Sequence, residues 1–195
     1  MGVGGARVAY PLFQTGDGGS TPTSTLQLEI LGITAQRAAM LNALWHSVLP
    51  ETYLGNLVGS RRTAFYGAYF QHRWYAVAIW TDPIAANRLK DGEKIMELRR
   101  LAIAPDAPRN TASRMLGVMR RLLMKKYPDV IRLISYQSVE HHTGSIYRAA
   151  GWESTAKSKF TVWHEGDPKD NSRRVSQITS EKVRWQIELK RKETF

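Results

Sequence analysis

Ile95-Met96-Glu97-Leu98-Arg99-Arg100-Leu101-Ala102-Ile103 reads as a long strand, and Pro105-Asp106-Ala107-Pro108-Arg109-Asn110-Thr111-Ala112-Ser113-Arg114 leads from it into an amphipathic helix. A strand covered on both faces should be nearly all apolar, yet this one carries three charges in its middle. Side chains alternate along a strand, so Glu97 and Arg99 are expected on one face with Ile95, Leu101 and Ile103, pointing into a covered cleft. Either the pair neutralises itself and its neighbours, or it forms the polar floor of a site. In the helix that follows, expected from Ser113 to Lys126, Met115, Leu116, Met119, Leu122 and Leu123 recur at helical spacing. Basic residues take the opposite face and Pro128 is the stop.

Upstream, Leu26, Leu28 and Ile30 alternate with polar residues as a short strand. Thr34 then caps a helix carrying Ala38, Leu41, Leu44, Trp45 and Val48, which Pro50 ends. Thr63 to Phe70 and Trp74 to Trp80 are aromatic and β-branched runs joined by Gln71-His72-Arg73, a hairpin. Downstream come a strand from Val130 to Tyr136 and a short helix from Thr143 to Ala150 closed by Gly151. Trp152 to Trp163 is at least partly strand, residues 165–176 are a polar loop, and Val183, Trp185, Ile187 and Leu189 alternate as a last strand. The order predicts an α/β (α+β) fold, one mixed central sheet with helices on both faces. The expected domain spans 25–190, between a Gly-, Ser- and Thr-rich arm at 1–24 and a basic tail at 191–195.

Composition narrows the partners. With 28 Lys and Arg against 17 Asp and Glu the formal charge is +11, which favours polyanions and makes nucleic acid the leading partner. The absence of cysteine excludes disulfides, thiolate metal sites and a cysteine nucleophile. No run approaches the roughly 20 apolar residues of a membrane span, and the first residues lack the apolar core of a signal peptide. A soluble, cytoplasmic protein with no membrane partner is expected.

Three segments concentrate chemistry. Glu97 and Arg99 form the first. In the second, Arg109, Asn110, Ser113 and Arg114 crowd the start of the helix, where free backbone N–H groups attract anions; the alternative is that Asn110 or Thr111 is only the N-cap. The third is Ser135-Tyr136-Gln137-Ser138-Val139-Glu140-His141-His142-Thr143-Gly144-Ser145-Ile146-Tyr147, where one strand ends and a helix begins, the usual place for ligands in open α/β sheets. Adjacent His141 and His142 fit one metal poorly, so a single histidine acting as base, donor or ligand is the better reading. His46, beside Trp45, reads by default as a half-buried helix histidine. Tyr53, Tyr66 and Tyr69 offer flat surfaces for a displaced base, although such residues more often pack a sheet.

Glu97-Leu98-Arg99-Arg100-Leu101, Ala107-Pro108-Arg109-Asn110 with Ser113-Arg114, and Ser135-Tyr136 with His142-Thr143-Gly144-x-Ile146-Tyr147-x-Ala149-x-Gly151-Trp152 together resemble the phage Mom-like family. These are relatives of the GNAT acyltransferases that place a carbamoylmethyl group on adenine N6 in DNA. The resemblance implies a GNAT-like fold, adenine-containing DNA as substrate and a small-molecule donor, in a phage or mobile-element protein working in its host's cytoplasm. The catalytic residues it implies are His46, Glu97, Arg99, Ser135, Tyr136, His142 and Tyr147. Arg100, Arg109, Asn110, Ser113 and Arg114 would hold the cofactor, and Tyr53, Tyr66 and Tyr69 remain, from residue type alone, the candidates for the substrate base. Two departures stand out. The usual coenzyme loop of GNAT enzymes has small residues where this chain has Ala112 and Arg114, and the arginine is expected to crowd a pyrophosphate. Ser138 stands where the family often has an aspartate, so Glu97 or Glu140 takes that role or the chemistry differs. The cofactor is left open between an acyl-coenzyme A and an iron or other metal held by His46 or His142 with a carboxylate. Two other functions also stay open, an acetyl-CoA-dependent N-acetyltransferase and a non-catalytic nucleic-acid-binding protein.

Overall fold

A computed structural model describes residues 20–46, 59–85, 88–89, 94–158, 161–165, 175–179 and 181–189. The arm before Ser20, Val48, Pro50, Tyr53 and the basic tail lie outside the described residues.

The N-terminal segment departs from the alternation. Ser24 and Gln27 form a capping box, in which the Ser24 hydroxyl accepts from Leu26 N and the Gln27 amide oxygen accepts from Ser24 N at 3.0 Å. This reciprocal pairing winds Thr25–Gln27 into a single 3-10 turn, leaves Leu26 77% exposed and delays the strand. Strand β1 is therefore Glu29–Gly32. Thr34 caps helix α1 (Ala35–Trp45) by accepting from Arg37 N at 3.2 Å. Ala38, Leu41 and Asn42 form its buried side, while Leu44 faces outward.

Strands β2 (Thr63–Phe70) and β3 (Arg73–Thr81) are a hairpin with a two-residue turn. Gln71 and His72 both take positive φ, 42° and 65°, the twist that two-residue hairpins require, so Arg73 belongs to the strand. Strand β4 (Ile95–Ile103) lies antiparallel to β3, and helix α2 (Thr111–Lys126) follows it. The remaining elements are β5 (Arg132–Ser138), helix α3 (Ser145–Ala149), β6 (Glu153–Ser158), β7 (Thr161–Glu165), β8 (Val175–Thr179) and β9 (Lys182–Glu188). Seven strands form one mixed sheet in the order β1-β2-β3-β4-β5-β9-β6, while β7 and β8 pair separately. The expected run from Trp152 to Trp163 is thus two strands in two sheets.

Helices cover both faces. Met115, Leu116, Met119 and Leu123 of α2 are fully buried against Ala76, Ala78, Trp80, Met96, Leu98 and Leu133. Each such side chain contributes on the order of 1.5–3 kcal/mol, which holds α2 in place far more firmly than its own propensity does. On the other face Ala38 and Leu41 of α1 meet Val77, Ile79 and Ala102. Among the described residues no helix is long and apolar enough to cross a membrane.

Candidate functional site

Two irregularities in the central strands make the site. The first is a bulge in β4. Ile79 pairs with Arg100 but Trp80 with Leu98, so Arg99 is an extra residue. The bulge reverses the alternation and overturns the expectation that Glu97 and Arg99 share a face with Leu101 and Ile103. Met96, Leu98, Leu101 and Ile103 all pack on the α2 side. Glu97, opposite Thr81, and Arg100, opposite Ile79, point to the α1 side. Arg99 joins them, its Nε 3.8 Å from Glu97 Oε1. The second irregularity is a parting of parallel strands. β4 and β5 pair only from Ile95 with Arg132 to Leu98 with Ser135, and beyond that point both strands continue without pairing to each other.

On the α1 side the strands form a basic basin. Glu97 is its buried acid. Burial pushes the carboxyl up from its usual value, and the Ile84 N–H bonded to Oε2 at 3.2 Å, then Arg99, Arg88 and Lys182, oppose that shift. Burial lowers both the Arg99 and Arg100 guanidinium values, with Glu97 opposing. Arg100 Nη1 donates to Arg99 O at 2.8 Å, and among the described residues its buried Nε has no hydrogen-bond partner. Tyr136, on the same face of β5, lies under the Arg88 guanidinium, which is 5.8 Å from the ring centroid. His46, the residue that ends α1, faces this basin. Burial, then Arg100 and His142, hold its imidazole below the usual histidine value. Burial and His141 lower His142 as well. Both imidazoles are therefore neutral near pH 7. Among the described residues no three His, Asp or Glu side chains are placed to hold a metal ion.

On the α2 side, at the parting, Ser135 Oγ and Tyr147 Oη are 2.8 Å apart, and Ser135 Oγ also donates to Leu98 O at 3.4 Å. Tyr147 stacks on Trp185 with ring centroids 5.3 Å apart and meets Trp152 edge-on at 5.7 Å. Burial raises its hydroxyl pKa, against the Ser135 hydrogen bond, so it keeps its proton at neutral pH. Consecutive residues of β5 thus serve opposite faces, Ser135 toward Tyr147 and Tyr136 toward Arg88.

A cleft of about 380 Å³ opens beside Tyr147, between the end of β4, the start of α2 and Ser145, Ile146 and Ala149 of α3. Asn110 takes the N-cap position with φ 70° and no side-chain cap bond. Thr111 donates to Pro108 O at 2.6 Å and Ser113 to Asn110 O at 3.1 Å, so neither hydroxyl caps the helix N–H groups, and Arg109 stands exposed at the rim. Arg114 does not crowd the cleft as expected. Its Nη2 donates to Leu28 O at 3.2 Å, anchoring the side chain to the segment before β1.

Two expected residues do not reach the basin. Tyr66 is 6% exposed in the α2-side core, where burial and then Tyr127 push its hydroxyl up to about 12, so it offers no stacking face. Tyr69 is half-buried but lies near the start of α1, away from the basin. Tyr53 is outside the described residues. Two unexpected residues enter instead. Gln137 accepts from Trp185 Nε1 at 2.6 Å and donates to His142 O, tying Tyr147's stacking partner to the histidine loop. Arg88 comes from the polar link before β4. A polar residue on the buried side of a strand was the signal for Gln137, whereas nothing in its sequence context marks Arg88.

A mixed sheet that parts between two central parallel strands, with a helix beginning at the opening, is the fold of the GNAT acetyltransferases. An acetyltransferase of the GNAT family from Streptococcus pneumoniae superposes with a TM-score of 0.54 at 12% identity, over 84% of this chain and 99% of that one. The ribosomal-protein-S18-alanine N-acetyltransferase of Escherichia coli gives 0.56 at 12% identity, over 86% and 98%. A Bacillus subtilis acetyltransferase in complex with CoA gives 0.52 at 14% identity, over 83% and 99%. At these identities the likeness concerns the fold. Residues 28–194 match the Mom protein family, and the chain belongs to it. No curated protein matches the sequence.

Proposed function

We propose that the chain transfers an acyl- or carbamoylmethyl-type group from a small-molecule donor to the exocyclic N6 amine of adenine in DNA. The observation that carries this reading is the parting of β4 and β5 at Ser135, whose hydroxyl is 2.8 Å from that of Tyr147, with a cleft at the start of α2 and a basic, histidine-bearing basin on the α1 side. The cleft fits the diphosphate of an acyl-coenzyme A. Uncapped N–H groups of α2 face it, Arg109 stands at its rim, and Arg114 is bonded elsewhere. For the acyl-type transfer such a donor would supply an activated carbonyl and a thiolate leaving group; a carbamoylmethyl group would need a donor with its leaving group on the methylene carbon.

The remaining steps fall to the protein's own groups. Arg88, Arg99, Arg100 and Lys182 outnumber Glu97, so the basin suits the phosphates beside a target nucleotide, and the formal charge of +11 favours duplex DNA generally. An adenine inside a duplex hides its amine, so the base is extruded and stacks on Tyr136. Neutral His46 takes the proton that the amine loses on forming its new bond, and Tyr147 gives a proton to the departing group. Nucleoside mass spectrometry on DNA from cells expressing the wild type and His46→Ala tests the reading. A modified adenine in the first sample and not the second is expected; unmodified adenine in both refutes it.

A second reading, N-acetylation of an amine outside DNA, gains from the turned-away Arg114 and from the N-acetyltransferases that share the fold. It predicts acetyl-CoA binding by calorimetry together with acetyl transfer to a protein or small amine, and no altered nucleoside.

A further inference from the structure

A second concave surface lies on the α1 face, at the end of the sheet near the β2–β3 turn, and the reaction proposed above does not use it. It is a groove of about 540 Å³ between the β1–α1 connection and the hairpin. Its aromatic wall is Tyr69 and Trp74, with centroids 4.8 Å apart and planes at 55°. The pair is held in place from below. Gly67 lies under Trp74, and a Cβ there would sit 2.6 Å from Cε3 and Cζ3 of the indole, so only glycine lets that ring lie down on the sheet. Arg37 places its guanidinium 5.9 Å from the Trp74 ring centroid, and His72 Nδ1 lies 3.4 Å from Tyr69 Oη. No acidic residue lines the groove among the described residues.

We propose that this groove is a second DNA subsite, which takes a nucleotide flanking the modified adenine by stacking its base on Tyr69 and pairing its phosphate with Arg37 and His72. The inference rests on the DNA reading given above. Flat rings beside the Arg37 guanidinium match a nucleotide, which joins a π-face to an anion, and the nearest acid on this face is Glu29, across from Tyr69 on β1. A cationic ligand is disfavoured because Arg37 already occupies the cation position over Trp74.

The groove cannot hold the reacting base itself. It lies at Thr34, before the first turn of α1, whereas His46 ends that helix twelve residues later. At 1.5 Å per residue the two are about 18 Å apart. Along one strand of a duplex, at about 3.4 Å per nucleotide, this corresponds to roughly five positions. The groove therefore acts as a ruler that sets register on the DNA, and it gives Tyr69 a substrate contact other than the extruded adenine.

The test uses the full chain and adenine-containing duplexes carrying a photoreactive 5-iodopyrimidine at one position at a time. Crosslinked peptides are identified by mass spectrometry, and binding is read by fluorescence anisotropy. Crosslinks to the peptide containing Tyr69 and Trp74 are expected, strongest for probes about five positions from the modified adenine. Tyr69→Ala should weaken binding at least about fivefold, the low end for one base–aromatic stack, and Tyr69→Phe should restore it. Thermal melting of each variant separates a lost contact from a lost fold. If the wild type modifies adenine while crosslinks map only elsewhere and Tyr69→Ala binds normally, the groove is not a subsite and the proposed function stands. If the wild type binds no duplex at all, both fail.

Discussion

Gly144 and Gly151 flank α3 with nearly the same backbone angle, φ 75° and 76°, but in different surroundings. A Cβ at Gly151 meets nothing within 4 Å. A Cβ at Gly144 sits 2.6 Å from Gln137 Oε1 and runs into the Trp185 indole. Alanine at either position costs about 1–2 kcal/mol for the left-handed backbone. At Gly144 the side chain must also displace Trp185 from its 2.6 Å bond to Gln137, and a buried donor left unpaired costs about 1–3 kcal/mol more. Gly144→Ala should thus lose roughly 2–5 kcal/mol, and Gly151→Ala only the backbone part. For a chain of this size 1 kcal/mol moves Tm by about 2–4 °C, so the expected falls are about 10 °C and about 4 °C. Melting followed by far-UV circular dichroism reads both, and the near-UV signal of Trp185 should change only in Gly144→Ala. Equal shifts in the two variants would refute the claim that Gly144 is required for packing as well as for its angle.

Three further outcomes follow from the same contacts. Tyr147→Phe removes the shorter of the two hydrogen bonds of the Ser135 hydroxyl and should cost about 1 kcal/mol in stability, yet slow transfer by at least about a hundredfold in initial-rate assays with labelled donor. Arg62, 8% exposed, bonds Asp82 at 3.3 Å and Asp129 at 2.5 Å, joining the start of β2, the end of β3 and the turn before β5. Arg62→Ala leaves the largely buried Asp82 carboxylate without its counter-charge, holding only the backbone N–H of residue 62 at 2.9 Å, and a loss of about 2–3 kcal/mol is expected in urea unfolding, reduced from the fully buried case by that remaining bond and because Asp129 is half-exposed. Glu97 has a raised folded pKa, so the stability it contributes is complete below the unfolded carboxylate value and is lost as pH rises through the folded value. Glu97→Gln should therefore melt higher than the wild type at pH 8, with the difference vanishing near pH 4; an advantage that grows on acidification would contradict the assigned direction.

The long strand and the helix after it were legible because their apolar residues fill the positions that burial requires, Met115, Leu116, Met119 and Leu123 in particular. The N-terminal strand was misread because Ser24 and Gln27 satisfy backbone groups locally, which alternation of leucines does not reveal. The bulge had a signature that a strict period of two conceals. Met96, Leu98, Leu101 and Ile103 are spaced two, three and two, the pattern of one inserted residue on a single apolar face. Tyr66 and Arg114 were misassigned for a different reason. Residue type says that a tyrosine can stack and an arginine can bind phosphate, but only the sheet face and the distance to Leu28 O decide whether either is free to do so.

The resemblance leaves open whether Glu97 or Glu140 takes the role of the aspartate expected at Ser138, and the geometry separates the two candidates. Glu140 is exposed in the loop after β5, whereas Glu97 lies buried on the face that holds His46, Arg88 and Tyr136. Glu97 is nonetheless poorly placed to take the substrate proton. Its Oε2 already accepts from Ile84 N–H and its Oε1 faces Arg99, so accepting a proton would weaken both contacts. Burial and then the nearby Arg100 hold the His46 imidazole below its usual value, which favours the neutral form that a base needs, and it ends helix α1. Under the proposed reading the two roles of a site carboxylate are therefore divided, with Glu97 fixing the charge and orientation of the arginines and His46 moving the proton. Glu97→Gln should then change substrate affinity more than the pH dependence of transfer, and His46→Gln the reverse, so a pH profile that shifts with Glu97 but not with His46 would exchange the two assignments.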